Sequence, residues 1–432
     1  MTPTAELGPL VRLWGISASR LPSPTASADD LAPFLLTILQ EALPFIDGAA
    51  PRVRRPDADS SATAAAKKLW KPKGVKSLPA DSAAPVEVSE RVVGAGELET
   101  VVARALLDDA TRKKTQARLG NESWACRRSV HEDEAQKGTA SWAEFVRCFR
   151  DEHAAAEDGF TPAVVATCEA LSWGCSSVEP VDVAEGEEEG HASSGGRQRW
   201  GRFTLKVVEM RHKVGRPVLK DRTFPVLQLT ATAVTAAGGE GREFVVVSIP
   251  VPNFGTNEAS QLAREKGAQI AAYVSVERLR VLEAHDEQQQ QQQQSGKAGE
   301  IEWLMATASD AGGVLPSWVQ NMAMPGIIWK DVPLFLKWIA GERLKKDVAK
   351  VGPLGSASTA ETTSNKTTGK TAAAASTSKS VAGGENAPPA ATAATEVPDD
   401  SDVTNKLAAA FDEPRETEAA DSGAQVGGMI LK

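Results

Sequence analysis

The stretch Met305–Ile339, MATASDAGGVLPSWVQNMAMPGIIWKDVPLFLKWI, decides the fold. Its pattern predicts a strand that ends at Asp310, a Gly-Gly turn, and a helix that begins at Leu315-Pro316 and runs nearly to Gly341. Only 5% of the chain is aromatic, yet this segment is rich in aromatic residues. They are Trp318, Trp329, Phe335 and Trp338. A helix so apolar has to be buried against a large apolar surface.

The second half of this helix has one apolar face. Val332, Phe335, Leu336 and Ile339 follow i, i+3, i+4, i+7 spacing, which predicts that they face inward. Pro325-Gly326 predicts a break in the helix, either as a kink or as a division into two helices. Such a break suits a hinged lid, and it also occurs for reasons of packing alone, so both interpretations stay open.

Five β-branched and aromatic runs precede the helix and predict five consecutive strands. These runs are WGRFTLKVVEMRH, RTFPVLQLTATAV, REFVVVSIPV, IAAYVSVERLRVL and IEWLMATAS. Short connections with turn signals such as Gly238-Gly239 favour an antiparallel meander over βαβ units. The glutamine run Gln288–Gln294 falls in one connection, where a loop tolerates an insertion.

Helices are predicted upstream of these strands. ADDLAPFLLTILQEALPFID has helical spacing, with Asp29 or Asp30 as its cap, and GELETVVARALLDDATRKKTQARLG predicts one helix that ends at Gly120. SWACRRSV predicts a strand, and Ser141 with Glu144 forms a capping box for the next helix. Thr161-Pro162 predicts the start of a further helix through Leu171.

The pattern divides the chain into four parts of one α+β protein. Residues 1–47 form an N-terminal segment with one amphipathic helix, and residues 48–95 form a low-complexity linker. Residues 96–343 form the main domain, with its core at 124–343 and loop insertions near 178–199 and 286–299. Residues 344–432 form a disordered tail, because their Ala, Ser, Thr, Lys and Pro composition cannot build a core. In the linker, KKLWKPKGVK either contacts anionic lipid headgroups transiently or is a solvated linker.

Composition and motifs argue against several function classes. The net charge of −9 disfavours nucleic acid as a partner. The four cysteines form no CxxC pair, and no signal peptide or membrane span is apparent, so we expect reduced thiols and a cytoplasmic protein. SVHEDE lacks the second histidine of HExxH, and the common phosphate-loop and nucleophile motifs are absent. We therefore predict no enzyme, no metal site and no cofactor.

Several stretches resemble a known family. WACRRSVHE, SWAEF, VEMRHK, RTFPVL, VVVSIPV, YVSVERL and EWLMATASDAGGVLPSWVQNMAMPG span Trp124 to Arg343. They are similar to the START-like, or helix-grip, superfamily of lipid-transfer domains, and most similar to the fungal domain-of-unknown-function family 3074. The resemblance implies a curved antiparallel β-sheet wrapped around a long C-terminal α-helix. It also implies a cavity for a hydrophobic ligand, a lipid or sterol, that is transferred or sensed.

Strand alternation supplies candidates for the lining of that cavity, because every second side chain shares a face. We predict that it comprises Arg127, His212, Arg222, Tyr273, Glu277, Trp303, Met305, Phe335, Leu336 and Ile339. A buried pair such as Arg222 with Glu277 either binds a polar headgroup or is a structural ion pair. The alternative function is a non-catalytic scaffold or regulatory protein whose START-like core is filled by side chains. Its support is the long tail, which suits partner docking.

Overall fold

The computed structural model describes residues 7–50, 69–184, 197–213, 220–282, 299–312 and 323–350. Up to Asp347 the chain belongs to one compact unit. Its helices are α1 (Ala28–Asp47), α2 (Ala95–Val102), α3 (Asp109–Ala117), α4 (Trp142–Phe145), α5 (His153–Phe160) and α6 (Asp331–Lys350), with a π-helical turn at Val146–Asp151.

The strands form one eleven-stranded sheet. They are β1 (Lys71–Lys76), β2 (Val86–Val93), β3 (Glu122–Glu132), β4 (Val164–Trp173), β5 (Val181–Ala184), β6 (Arg197–His212), β7 (Arg222–Val234), β8 (Glu240–Pro250), β9 (Gln269–Ile270), β10 (Ala272–Leu282) and β11 (Glu300–Asp310). The main path runs β1-β2-β3-β11-β10-β8-β7-β6-β4, while β5 pairs with β6 and β9 pairs with β7. The predicted antiparallel meander of β6, β7, β8, β10 and β11 is confirmed.

Both faces of this sheet are covered. We call the face that carries Phe244 and Trp303 the inner face, and the face that carries Val245 and Leu304 the outer face. α4, the π-helical turn, α5 and α6 pack on the inner face, where Phe335 of α6 joins the same core as Trp303. α1 belongs to the core on the outer face, together with the segment that precedes it. The predicted α+β fold, with the last helix packed on an antiparallel sheet, is confirmed.

Helix α1 is held by a cap that differs from the prediction. Its N-cap is Ser27, whose hydroxyl accepts the N–H of Asp30, while the Asp30 carboxylate accepts the N–H of Ser27. The prediction of Asp29 or Asp30 as the cap was wrong, because the reciprocal capping box places Asp30 inside the first turn. The capping box of Ser141 and Glu144 is present as predicted.

The helix predicted from Thr161-Pro162 through Leu171 is wrong. This segment forms β4, an edge strand of the main path that pairs with β6. Its β-branched residues, among them Val164, Val165 and Thr167, favour extended backbone, and the ladder to β6 satisfies the backbone hydrogen bonds. The single helix predicted to end at Gly120 is also divided in two, because Asp108 accepts the Thr111 N–H at 2.8 Å and starts α3.

Part of the predicted linker at 48–95 belongs to the sheet. β1 and β2 lie within it, and β2 buries Val86, Val88 and Val93. These valines face the core. The sequence did not predict the strand, because its short alternation of apolar and polar residues follows a stretch rich in Ser and Ala. Trp70 is buried and contacts Phe45 with ring centroids 5.7 Å apart, so its indole is not free to meet a lipid surface.

The break predicted at Pro325-Gly326 is displaced. Residues 323–327 are helical, and the irregular turn is the 3-10 segment Ile328–Lys330 directly before α6. α6 continues to Lys350, past the predicted tail boundary at 344. The predicted helix start at Leu315-Pro316, the glutamine run and the tail from 351 lie outside the described residues.

Burial of α1 predicts that it is needed for the stability of the whole unit. Leu35 is fully buried, so Leu35→Ala should lower the free energy of unfolding by about 2–5 kcal/mol through lost contacts and a cavity. Gln40→Ala, at an exposed position of the same helix, should change it by less than about 0.5 kcal/mol. Urea unfolding followed by tryptophan fluorescence measures both. An unchanged midpoint for Leu35→Ala would show that α1 is peripheral.

Candidate functional site

Strand register brings the central polar residues of the inner face into one row. Arg127 on β3 lies opposite Met305 on β11, which lies opposite Glu277 on β10. The row continues through Val246 on β8 to Thr230 on β7. Residues directly opposite each other in antiparallel strands share a face, so a guanidinium and a carboxylate meet above Met305.

The neighbouring row of the same face is almost entirely polar. Thr307, Ser275, Ser248, Gln228 and Lys206 lie opposite one another across five adjacent strands. A sheet face that is covered by helices is normally apolar, because a buried polar group needs a hydrogen-bonding partner. This row therefore marks the part of the inner face that differs most from an ordinary core.

Arg127 is the centre of the charged contacts on this face. Its side chain is 2% exposed, its Nη2 donates to Glu277 Oε1 at 3.2 Å, and its Nε lies 3.6 Å from Asp331 Oδ2. The guanidinium also sits 4.1 Å from the centroid of the Trp303 ring, and the Trp303 indole N–H donates to the same Glu277 oxygen at 2.6 Å. A strand, a second strand and a helix are thus joined by one cation.

The helices that cover the inner face add further titratable groups. α5 contributes His153 and Glu157, whose Nε2 and Oε2 atoms lie 3.7 Å apart, and α6 contributes Asp331 in its first turn. Glu157 and Asp331 keep 22% and 32% of their side-chain surface accessible. Burial nevertheless raises the pKa of Glu157 to about 8, helped by the negative charges of Asp331 and Glu277. Burial likewise raises the pKa of Asp331 to about 6, against the opposing effect of Arg127.

Side chains that are partly accessible and yet poorly hydrated lie neither at an open surface nor in a filled core. A side chain at an open surface keeps nearly the ordinary pKa, whereas a side chain in a filled core has no accessible surface. Glu157 and Asp331 show both properties at once, and Tyr273 and Met305 on the strands opposite are also only partly buried. These four partly accessible residues lie between the inner face and the helices, and we call the place where they meet the inner recess.

Buried polar atoms without a hydrogen-bonding partner occur on this face, as they do elsewhere in the unit. Among the described residues, several buried donors and acceptors of the inner face make no hydrogen bond. They include Arg127 Nη1, His131 Nδ1, Gln228 Oε1, Thr230 Oγ1, Thr232 Oγ1 and His212 Nε2. Buried polar atoms in native proteins are nearly always paired with protein, water or ligand, so water or a ligand is the expected partner of these atoms.

Register places the predicted strand residues of the site on this one face. Besides the row of Arg127, Met305 and Glu277, Trp303 lies one row further along, and His212 pairs with Arg222 at the far end of β6 and β7. The rings of His212 and Phe224 lie 5.2 Å apart, and those of Phe224 and Tyr273 lie 5.6 Å apart. His212 is therefore linked to the recess through aromatic contacts, and burial lowers its pKa to about 4.

The suggested pairing of Arg222 with Glu277 is wrong. Arg222 donates from Nε to the Ala311 carbonyl at 2.7 Å and also donates to the Lys220 carbonyl. It lies at the first residue of β7, whereas the register brings Arg127 beside Glu277. Sequence alternation placed Glu277 on a face with Tyr273 and Ser275 but could not supply the order of strands that decides which cation reaches its carboxylate.

The three predicted residues of α6 lie in a dense aromatic cluster. Phe335 is fully buried, and its ring contacts the rings of Phe145, Phe149, Phe160, Trp303 and Trp338, with centroids 4.8 to 6.3 Å apart. Leu336 and Ile339 are buried in the same cluster. Side chains thus fill the space directly beneath the middle of α6, and the inner recess lies nearer to its first turn.

Sequence reasoning missed Glu157, Asp331, Gln228 and Thr230. The last two alternate in RTFPVLQLTATAV as polar residues within an apolar strand, which is the signal that could have found them. The two acids carry no such signal, since HAAAEDGF and KDVPLF place them at ordinary helical positions. Among the described residues, no group of His, Cys, Asp and Glu has the geometry to hold a metal ion.

Comparison with known proteins identifies the family. A family model described as "Protein of unknown function (DUF3074)" matches residues 124–339, which is half of the chain, and the chain belongs to this family. The family predicted from sequence is therefore confirmed. A search of curated proteins finds no match. None of the described helices is long and apolar enough to cross a membrane.

Among solved structures, the crystal structure of human STARD10 is similar at 13% sequence identity, over 70% of this chain and 89% of that chain, with a TM-score of 0.32. A score at this level carries no weight for function. The fold described above rests on the strand order and on the packing of α6 against the inner face.

The contacts of Arg127 predict that its removal destabilises the protein strongly and that a second substitution, at Glu277, restores part of the lost stability. Arg127→Met leaves Glu277 buried without its cation, so the free energy of unfolding should fall by roughly 3–5 kcal/mol. In the double variant Arg127→Met, Glu277→Leu, most of this loss should be recovered, because no unpaired charge is left in the strand row. Chemical unfolding of the wild type, both single variants and the double variant gives the coupling. Additive losses would show that the pair does not interact.

The raised pKa of Glu157 predicts a pH dependence of stability with a definite sign. Its folded-state pKa of about 8 lies above the ordinary value of 4.5, so the folded state binds more protons than the unfolded state between these values. Its contribution to stability is fully present below about pH 4.5 and is lost as the pH rises through about 8. The melting temperature of Glu157→Gln should therefore fall less between pH 5 and pH 9 than that of the wild type. Superimposable profiles in thermal scans would contradict this.

Proposed function

We propose that the protein binds a hydrophobic ligand with a polar head, of the lipid or sterol class, in the inner recess and without covalent chemistry. The observation that carries this proposal is that Glu157 of α5 and Asp331 of α6 keep accessible side-chain surface where these helices cover the buried pair of Arg127 and Glu277. The unpaired Arg127 Nη1 and Gln228 Oε1 support it, because a bound polar group would supply the partners that these buried atoms lack.

The surroundings of the recess suit an apolar chain. Met305 and Met324 lie at one side, in contact with Ile328, and Tyr273 and Ala154 lie at the other, packed with Val226. Methionine side chains adapt to irregular apolar shapes, and each buried methylene of a ligand contributes about 0.8 kcal/mol. A few polar groups at one end of such a lining fix the orientation of the head.

A second function has its own supporting observation. The aromatic cluster around Phe335 fills the space beneath the middle of α6 with side chains, which is what a non-catalytic scaffold or regulatory protein needs. On that alternative the recess holds only water, and the protein acts through its surfaces or its tail. The two functions differ in whether the recess accepts added volume and whether it retains a ligand.

A volume test separates these functions. Ser275 lies in the polar row beside Glu277, and Ser275→Phe should enter an open recess, leave the fold intact and remove ligand binding. In a filled core the same change should lower the free energy of unfolding by about 1–3 kcal/mol through overpacking. Val276→Phe is the matched control, because Val276 faces the tightly packed outer face and should be destabilising in either case.

The readout is native mass spectrometry of the purified full chain, with an organic extract of the same preparation. A stoichiometric lipid or sterol in the wild type that is absent from a folded Ser275→Phe variant supports the proposal. An empty wild type that also takes up no offered lipid, together with a destabilised Ser275→Phe variant, supports the scaffold instead.

Transfer between membranes and ligand sensing both follow from such a site. A transient contact with an anionic membrane surface would use the lysines of β1, because Trp70 is buried. A cytoplasmic location and partners of the C-terminal tail are parts of the same proposal.

A further inference from the structure

The charges that face the inner recess do not balance. Three carboxyl groups face it, from Glu277 on β10, Glu157 on α5 and Asp331 on α6, and negative charge nearby contributes to the raised pKa values of the last two. Near pH 7 Glu157, with a pKa of about 8, holds its proton, whereas Asp331, with a pKa of about 6, does not. The guanidinium of Arg127 contacts Glu277 and Asp331, so one cation already serves two carboxylates. The basic side chain beside Glu157 is His153, which is not permanently charged.

The other basic groups nearby do not close this deficit. The Nε2 of His153 lies 3.7 Å from Glu157, but burial lowers the pKa of His153, so the imidazole is neutral near pH 7. His131 is buried beyond Arg127, and its pKa falls to about 3 through burial and the adjacent guanidinium. Lys206 on β6 forms its ion pair with Glu169 at 3.6 Å. Glu157 therefore faces the recess without a charged partner among the described residues.

A second observation concerns the cation and indicates which other group the ligand carries. Arg127 is 2% exposed, and its Nη1 makes no hydrogen bond although it lies within the same cluster. A guanidinium N–H can only donate, so it needs an oxygen acceptor beside the carboxylates. A carboxylate or phosphate head would supply that oxygen but would bring further negative charge towards Asp331, which lies 3.6 Å from the same guanidinium. A hydroxyl oxygen supplies it without charge.

We propose that the ligand of the inner recess is a long-chain amino alcohol, whose ammonium group lies against Glu157 and Asp331 and whose hydroxyl accepts from Arg127 Nη1. This inference rests on the proposed function and specifies its ligand class. An ammonium has three donors and no acceptor, which matches carboxylate oxygens and the unpaired Gln228 Oε1 on the same face. The hydrocarbon chain then lies along Met305 and the apolar residues beneath the helices.

Matched ligands test the charge of the head group. The full-length protein, stripped of bound lipid, is titrated with 2-amino-1-hexadecanol, with its N-acetyl derivative and with hexadecanoic acid, all below their aggregation limits. The N-acetyl derivative keeps the chain and the hydroxyl but removes the cation. We expect the free amine to bind at least about tenfold more tightly than either of the other two ligands. Both of them lack the ammonium group and therefore cannot form its charge-assisted hydrogen bonds with the carboxylates.

A charge-neutral variant localises the effect. Glu157→Gln keeps the shape and should lose about tenfold in affinity for the free amine while its affinity for the N-acetyl derivative is unchanged. Asp158→Asn is the matched control, because Asp158 is the next residue of α5 and is exposed. Thermal melting of both variants at pH 7 confirms that they are folded, and Glu157→Gln is expected to be about as stable as the wild type because the carboxyl group, with a pKa of about 8, is mostly neutral at that pH.

The outcomes distinguish this inference from the proposal on which it rests. Equal affinities for all three ligands, or tighter binding of the acid, would overturn the amino alcohol and leave a hydrophobic site. An equal loss of both amine and N-acetyl binding in Glu157→Gln would show a structural role and would also overturn it. If none of the three ligands binds the wild type, the amino alcohol is overturned, and an empty purified protein in native mass spectrometry would then overturn the proposed function as well.

Discussion

Burial of the central sheet on both faces is the constraint from which the rest of the structure follows. Strands β8, β10 and β11 lie between α1 on one side and α5 and α6 on the other, so their side chains are enclosed whichever way they point. Such strands are expected to be apolar throughout, as Val245, Val246 and Val247 are. Each polar residue in them therefore opposes the stability of the sheet unless another group satisfies it.

The two faces treat their buried charges differently. On the outer face the Glu209 carboxylate accepts from the Ser260 hydroxyl and from three consecutive backbone N–H groups, those of residues 261–263. Glu122 similarly accepts from the Leu13 N–H and the Trp124 indole. These carboxylates fix loops and need no further partner. On the inner face Glu157 has only a neutral imidazole beside it.

Much of this fold could be predicted from residue patterns, because alternation and helical spacing record burial directly. The strand RTFPVLQLTATAV and the apolar face of α6 were read correctly for that reason. β4 was not, since TPAVVATCEAL carries a helix-start signal and its strand identity depends on pairing with β6, which no local pattern contains. β2 was missed for the same reason, because it is a strand through its pairing with β3, while its local sequence has the composition of a linker.

The site was predictable only in part, since strand alternation gives the face of a residue but not its partner. The choice of Arg127 over Arg222 as the neighbour of Glu277 is decided by strand order over 150 residues of sequence separation. Strand β1 lies at one end of the main path of the sheet, and its outward side has no strand beside it among the described residues. Its Lys71, Lys73 and Lys76 are exposed. A second molecule that added its own sheet there in the same orientation would bring ammonium groups against ammonium groups, so this edge resists the growth of the sheet into fibrils.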